Sequence, residues 1–204
     1  RDQGEGRFVG IRGIDPNLNN VTINGLNVPS PEGGVRSVAL DVIPSELIQT
    51  LEVSKSVTAD MDGDAIGGSV EVKSVSAFDR KGQTASLSGQ LSQNELRDEM
   101  SPKLSGTYTN LWNDTFGVAA ALSYFKRDFG SDNIESNADD EIEQRHYTIT
   151  RERLGAAVNL DYRPDFNNAY FLRTLYSEFS DEEYRQRNTI VFDGEDSEVE
   201  RESK

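Results

Sequence analysis

The 204 residues include no cysteine, a single histidine (His146) and a single tryptophan (Trp112). Without thiols there is no disulfide framework, no thiolate metal centre and no Cys nucleophile, which suits an oxidising compartment. One histidine excludes a His-based triad or a two-His metal site within the chain, and His146 reads as a strand residue at a loop boundary. Positive charge is scarce. The 21 Lys and Arg face 36 Asp and Glu, a net charge of −15, the wrong sign for a surface that must displace counterions from phosphates, so no nucleic-acid partner is expected. There is no run of 18 apolar residues and hence no transmembrane helix. Residues 1–4 have neither the basic start nor the apolar stretch of a signal peptide, and residues 195–204 end in a charged run, so the chain is expected to be a fragment. Apolar residues make up only 35%, short of the usual share even with glycine added.

What is present falls into two textures. Residues 8–76 carry short apolar runs separated by Gly, Asn and Pro and read as a small α+β unit. Pro44 suits the first turn of a short helix, where its missing N–H costs nothing, with Glu46 facing the positive end of the helix dipole. Asn24-Gly25, between two apolar triplets, is a two-residue hairpin signal, since both residues accept positive φ.

From residue 83 onward the pattern has a period of two. Five alternating segments are expected, at 83–92, 104–108, 116–124, 154–162 and 170–176. In 116–124 the set Phe116, Val118, Ala120, Leu122 and Tyr124 opposes Gly117, Ala119, Ala121 and Ser123. In 154–162 Leu154, Ala156, Val158, Leu160 and Tyr162 oppose Gly155, Ala157, Asn159 and Asp161, so the polar face can hold an acid. Residues 111–114 and 163–168 read as short turns. Residues 93–100 and the acidic stretch 128–145 read as long loops on the other side. Long and short connections in alternation, with aromatics near both strand ends, describe an outer-membrane β-barrel. A soluble or surface β-sandwich acting as a carbohydrate-binding or adhesion module is the alternative, as is an adhesin or autotransporter barrel.

Three stretches of the first region, 8–13 (Phe-Val-Gly-Ile-Arg-Gly), 21–29 and 43–55, followed by 60–72 with its Ala65-Ile66-Gly67-Gly68, resemble in order and spacing the plug domain of TonB-dependent outer-membrane receptors. The resemblance implies an α+β plug domain followed by antiparallel transmembrane β-barrel strands, a partial barrel of a 22-stranded type whose lumen the plug fills. The expected division is 1–76 plug (its C-terminal part), 77–82 hinge and 83–204 first barrel strands. The implied function is TonB-dependent import of a scarce nutrient, an oligosaccharide or a metal chelate such as a siderophore, across the outer membrane of a Gram-negative bacterium. The implied partners are TonB (through a TonB box that this chain lacks), outer-membrane lipid and a small extracellular ligand. No catalysis and no cofactor are implied. Leu87, Val118, Leu122, Val158 and Leu160 are expected to face lipid, and Ser88, Ala119, Asn159 and Arg173 the lumen.

Two departures stand out. The family pairs two plug arginines with barrel glutamates. Arg12 matches the first and is the expected plug–barrel contact, but Asp60 stands at the second. The acidic variant around it resembles receptors associated with oligosaccharides. Asp60, Asp62, Asp64 and Glu71 also occupy positions 1, 3, 5 and 12 of an EF-hand-like calcium loop. Ala65 stands where the sharp turn needs Gly and flanking helices are missing, so a solvated acidic turn is the plainer reading. Adjacent acids such as Asp139-Asp140 or Glu182-Glu183 do not converge as acid–base catalysis requires. The acidic stretch 128–145 reads as solvated surface, with a cationic ligand or lipid-bridging divalent ions as its rival role.

Overall fold

The computed structural model describes residues 7–30, 34–40, 43, 45–59, 61–63, 65–80, 82–137, 141–193 and 196–203. Pro44, Asp60, Asp64, Asp139 and Asp140 lie outside them, and the expected first-turn role of Pro44 with them. The short helix is present as a 3-10 turn at Ser45–Leu47 with Glu46 in its first turn.

Strands β1 (Asn19–Ile23), β2 (Leu26–Asn27), β3 (Ile48–Ser54) and β4 (Gly68–Ser74) form a mixed sheet in the order β2-β1-β4-β3. β1 and β2 are antiparallel, with Ile23 opposite Leu26 across the expected hairpin. Asn24 and Gly25 both have positive φ (50° and 80°), the geometry whose twist matches the flanking strands. β4 runs parallel to β1 and antiparallel to β3. One face of this sheet is apolar: Val21 and Val70 pack with Ile11 and Val38, flanked by Val9, Val28 and Leu40.

Gly67 and Gly68 are required at the entry to β4. A Cβ on Gly67 would sit 2.2 Å from Asn19 Oδ1. At Gly68, φ is +142° and a Cβ would lie 2.6 Å from the Ser54 carbonyl oxygen and 2.7 Å from Ile11 Cδ1. Only glycine avoids both the strain and the collision.

Six further strands follow in chain order as one continuous sheet, β10-β9-β8-β7-β6-β5. They are β5 (Thr84–Asn94), β6 (Arg97–Trp112), β7 (Phe116–Asn137), β8 (Glu141–Tyr162), β9 (Tyr170–Asp193) and β10 (Asp196–Ser203). The sheet is open, with β5 and β10 at its edges, and is not closed into a barrel. Strands β7 and β8 are more than twice, and β9 more than three times, as long as the segments expected, and β10 is not among those segments. The long-loop expectation is therefore corrected: only Glu95 and Leu96 separate β5 from β6, and most of 128–145 is strand. The physical reason lies in the side chains. Polar residues dominate both faces of these stretches, with Phe129 the buried exception, so period-two alternation is lost while backbone pairing continues. On the other side, Thr115 N donates to the Trp112 carbonyl at 3.0 Å, and Asn113 and Asp114 both have positive φ, a two-residue turn as expected.

Contacts divide the chain into two units, Arg1–Ser88 with Leu104–Tyr124 and Arg153–Glu178, and Gly89–Lys103 with Phe125–Glu152 and Phe179–Lys204. In the first, the alternation holds along β7 and β8, whereas β5 is exposed on both faces, Ser88 with it. Leu87, Leu122 and Val158 are 81%, 56% and 45% exposed, whereas Ala119, Asn159 and Asp161 are buried. In the second, Phe129, Tyr147 and Ile149 form a small core, with the Arg127 guanidinium 4.2 Å from the Phe129 ring centroid. A cross-strand ion ladder also runs there. Arg145 pairs with Glu135 on β7 (2.6 Å) and with the buried Glu143, and Arg187 on β9 pairs with Glu143 (3.0 Å) and with Glu202 on β10.

The turn after β8 is held by Asp165. Its carboxylate accepts hydrogen bonds from the Asn168 side-chain amide and the Asn167 and Asn168 backbone N–H groups, each at 2.9 Å. These bonds, with the Asn168 side chain the largest cause, hold the Asp165 carboxyl below its ordinary value near 3.8.

Two outcomes are expected. Gly68→Ala lowers the unfolding free energy by about 2–4 kcal/mol, read as a shift in the urea midpoint. Because the folded-state value of Asp165 is depressed, its stabilisation is complete above the unfolded-state value and disappears as pH falls through the folded one. The thermal-midpoint gap between the wild type and Asp165→Asn should therefore be open at pH 7 and narrow progressively once the pH falls below the ordinary carboxyl value near 3.8.

Candidate functional site

Within the first unit, the segment that leaves β4 is fastened to the buried face of β7 and β8. Ser76 caps a 3-10 turn at Ala77–Asp79: its hydroxyl accepts from the Phe78 N–H at 3.3 Å, and the Asp79 carboxylate accepts from the Ser76 N–H at 3.0 Å. This reciprocal cap fixes the direction in which the chain leaves β4. The Ser76 hydroxyl then donates to Asp161 Oδ2 at 2.9 Å.

Asp161, buried on β8, also accepts from Arg173 Nη2 on β9 at 2.5 Å, while Arg173 Nη1 donates to the Leu160 carbonyl at 3.2 Å. The carboxylate thus joins two strands and the segment after β4 through one pair of oxygens. A buried acid is stable in such a place because its charge is matched and both oxygens are engaged.

Two residues earlier on β8, Asn159 Nδ2 donates to Ser74 Oγ at 2.9 Å and to the Val75 carbonyl at 2.7 Å. Ser74 is held in turn by Asn24, whose Oδ1 accepts from the Ser74 N–H at 3.0 Å and whose Nδ2 donates to Ser74 Oγ at 2.9 Å. The residue that makes the β1–β2 turn therefore belongs to the same network.

Shape completes the fastening. Ala77 is fully buried against Gly117, where an added Cβ would fall 2.7 Å from the Ala77 Cβ. The Arg163 guanidinium lies 4.0 Å from the Phe78 ring centroid, a cation–π contact. The small residues of β7 make room for residues 74–78, and the polar residues of β8 hold them.

Arg12 lies elsewhere. It occupies a tight turn in which Ile14 N donates to the Ile11 carbonyl at 3.0 Å, with φ of 56° at Arg12 and 72° at Gly13. Its side chain is exposed and forms no ion pair among the described residues. Asn159 and Arg173, expected on the inner face, both join the fastening. Asp161 is the acid that the polar face of residues 154–162 was expected to hold, whereas Ser74 and Ser76 are contacts that the residue pattern does not single out. The signal available for them is the Ser76–Asp79 capping pair and two polar residues on an otherwise small strand face.

Of the acids in the calcium-loop reading, Asp62 and Glu71 lie among the described residues and line one cavity with Glu52. Asp62 Oδ2 accepts from Asn27 Nδ2 at 2.7 Å, whereas Glu71 sits within β4 opposite Glu52. Among the described residues no group of three or more His, Cys, Asp or Glu is placed to hold a metal ion. Lys73 Nζ donates to Glu52 at 2.7 Å, and this bond, with the charges of Glu52 and Glu71, raises the Lys73 pKa.

Residues 1–69 match the family model of the TonB-dependent Receptor Plug Domain. No curated protein and no solved structure matches the chain.

A double-mutant cycle of Asp161→Ala and Arg173→Ala should give a coupling of about 1–3 kcal/mol, measured by equilibrium denaturation. Either substitution should also speed proteolysis between residues 74 and 82.

Proposed function

We propose that this chain, which carries the plug domain of a TonB-dependent receptor over residues 1–69, works as part of an importer in the outer membrane of a Gram-negative bacterium. In this reading residues 1–76 are the plug, 77–82 the hinge and 83–204 the first strands of a barrel wall. The plug family is one of transporters rather than enzymes. A small extracellular ligand binds from outside, TonB draws on the plug, and the path opens without covalent chemistry.

The observation that carries this reading is the two-faced character of the strands. Along β8 the residues facing away from Asn159 and Asp161 are Leu154, Ala156, Val158, Leu160 and Tyr162, a stretch of nine residues. Nine to eleven residues are what a tilted β-strand needs to cross the hydrocarbon layer. Beyond it, the same face turns to Gln144, His146, Thr148, Thr150 and Glu152, side chains suited to water. Aromatic rings lie by the short turns, with Trp112 stacked on Phe116 (5.8 Å) and Tyr162 on Tyr170 (6.2 Å), where a membrane interface favours amphipathic rings.

An exposed apolar face of this extent is costly in water and natural against lipid. The sandwich alternative gives no reason for Leu122 and Val158 to stay exposed on the face of β7 and β8 opposite the one that meets the segment after β4. Arg12, exposed on its tight turn, remains the proposed plug contact for barrel carboxylates outside this chain. The acidic residues 60–64 favour an oligosaccharide over a metal chelate as the imported nutrient, by resemblance alone.

Spin labels in outer-membrane vesicles test the reading. Labels at Leu87, Val118, Leu122, Val158 and Leu160 should be relaxed by lipid-soluble oxygen, and labels at Ser88, Ala119, Asn159 and Arg173 by a water-soluble nickel chelate or by neither. A reversed pattern, or water access at both sets, defeats the barrel wall.

A further inference from the structure

Between the segment after β4 and the strands of the first unit lies a small cavity of about 10 Å³, lined by Val75, Arg80, Thr107, Thr109, Asn159 and the alanines of β7 and β8. Two of its lining residues carry buried polar atoms that have no hydrogen-bond partner in the protein, Thr109 Oγ1 and Asn159 Oδ1. Each residue is only 2% exposed.

The orientation of Asn159 is not free. Its Nδ2 donates to the Val75 carbonyl at 2.7 Å, and a carbonyl can only accept, so the amide cannot rotate to exchange its ends. Oδ1 is thereby left as a fixed acceptor without a donor. A buried polar oxygen with no partner is costly, and native interiors rarely tolerate two beside one cavity.

We infer that this cavity is a binding site for one ordered water molecule, which donates to Asn159 Oδ1 and hydrogen-bonds the Thr109 hydroxyl. The volume agrees, since about 10–15 Å³ is the space that the centre of one water needs. So does the lining, because two polar partners are the minimum for a retained buried water. An all-alanine cavity of the same size would stay dry. The other threonine of β6 at the cavity, Thr107, is already engaged, its hydroxyl 2.6 Å from that of Ser86. The water therefore ties β6 through Thr109 to the fastening made by Asn159 on β8, and Thr109 becomes part of what holds the segment after β4 in place. The inference stands whether or not the import reading does.

The sign of one substitution tests it. Thr109→Val keeps the side-chain shape and removes the hydroxyl. If a water is held there, the variant loses a hydrogen bond and the thermal midpoint of the protein falls by about 2–4 °C. If the cavity is dry, the variant removes an unsatisfied hydroxyl and the midpoint holds or rises, which overturns the proposal. A crystallographic map of the full-length wild-type protein that resolves ordered waters gives a second test, independent of how the variant folds. A peak within hydrogen-bonding distance of Asn159 Oδ1 and Thr109 Oγ1 supports the site, and a flat map there overturns it.

Discussion

A β-strand has two faces, and the strands of this chain's first unit have a protein partner for only one. The face that carries Ala119, Asn159 and Asp161 is buried, in part beneath residues 74–78. The face that carries Leu87, Leu122 and Val158 has nothing among the described residues to cover it. Fully burying one such side chain is worth about 1.5–3 kcal/mol, so a row of them left in water would be a large deficit for a domain of ordinary marginal stability. The apolar share of the whole chain is low for the same reason. These strands place apolar residues on one side only, and the other side is small or polar because it must accommodate another part of the same chain.

The fastening at residues 74–78 shows how such an inner face is used. Gly117 and its neighbours leave room, Asn159 reads the backbone and hydroxyl of the passing segment, and Asp161 shares its charge between Ser76 and Arg173. No one of these contacts is large. Together they engage the polar groups of the segment leaving β4 at the place where the chain changes from one sheet to the other. Asn24 links the same point to the β1–β2 turn, so the mixed sheet and the strand wall meet there through amides and hydroxyls rather than through a hydrophobic seam.

Where the apolar face ends, the strands continue. The ladder from Glu135 through Arg145, Glu143 and Arg187 to Glu202 crosses four strands. Its interior member, Glu143, is buried with both oxygens bound by guanidinium groups. Pairing by charge replaces pairing by apolar contact, and this explains why a stretch that reads as a loop is folded as strand. Sequence periodicity reports the difference between two faces. Where both faces are polar it reports nothing, although the backbone hydrogen bonds are unchanged.

Several features are legible in the order of residues alone. The Asn24-Gly25 hairpin, the plug-like character of the first part and the shared face of Ala119 and Asn159 all follow from backbone preference, from motif order or from a period of two, whereas Ser88, assigned to the same face by its period, is exposed because β5 has both faces uncovered. These are local properties, fixed by what one residue or its immediate neighbours can do. Other features are decided only in three dimensions. That residues 128–145 pair largely as strand, that β10 extends the sheet, that Asp161 meets Ser76 across 85 positions and that Thr109 and Asn159 share one cavity depend on which strands become neighbours. Nothing in the linear chain states that adjacency, because it is set by the joint cost of covering apolar faces and satisfying buried polar groups over the whole molecule.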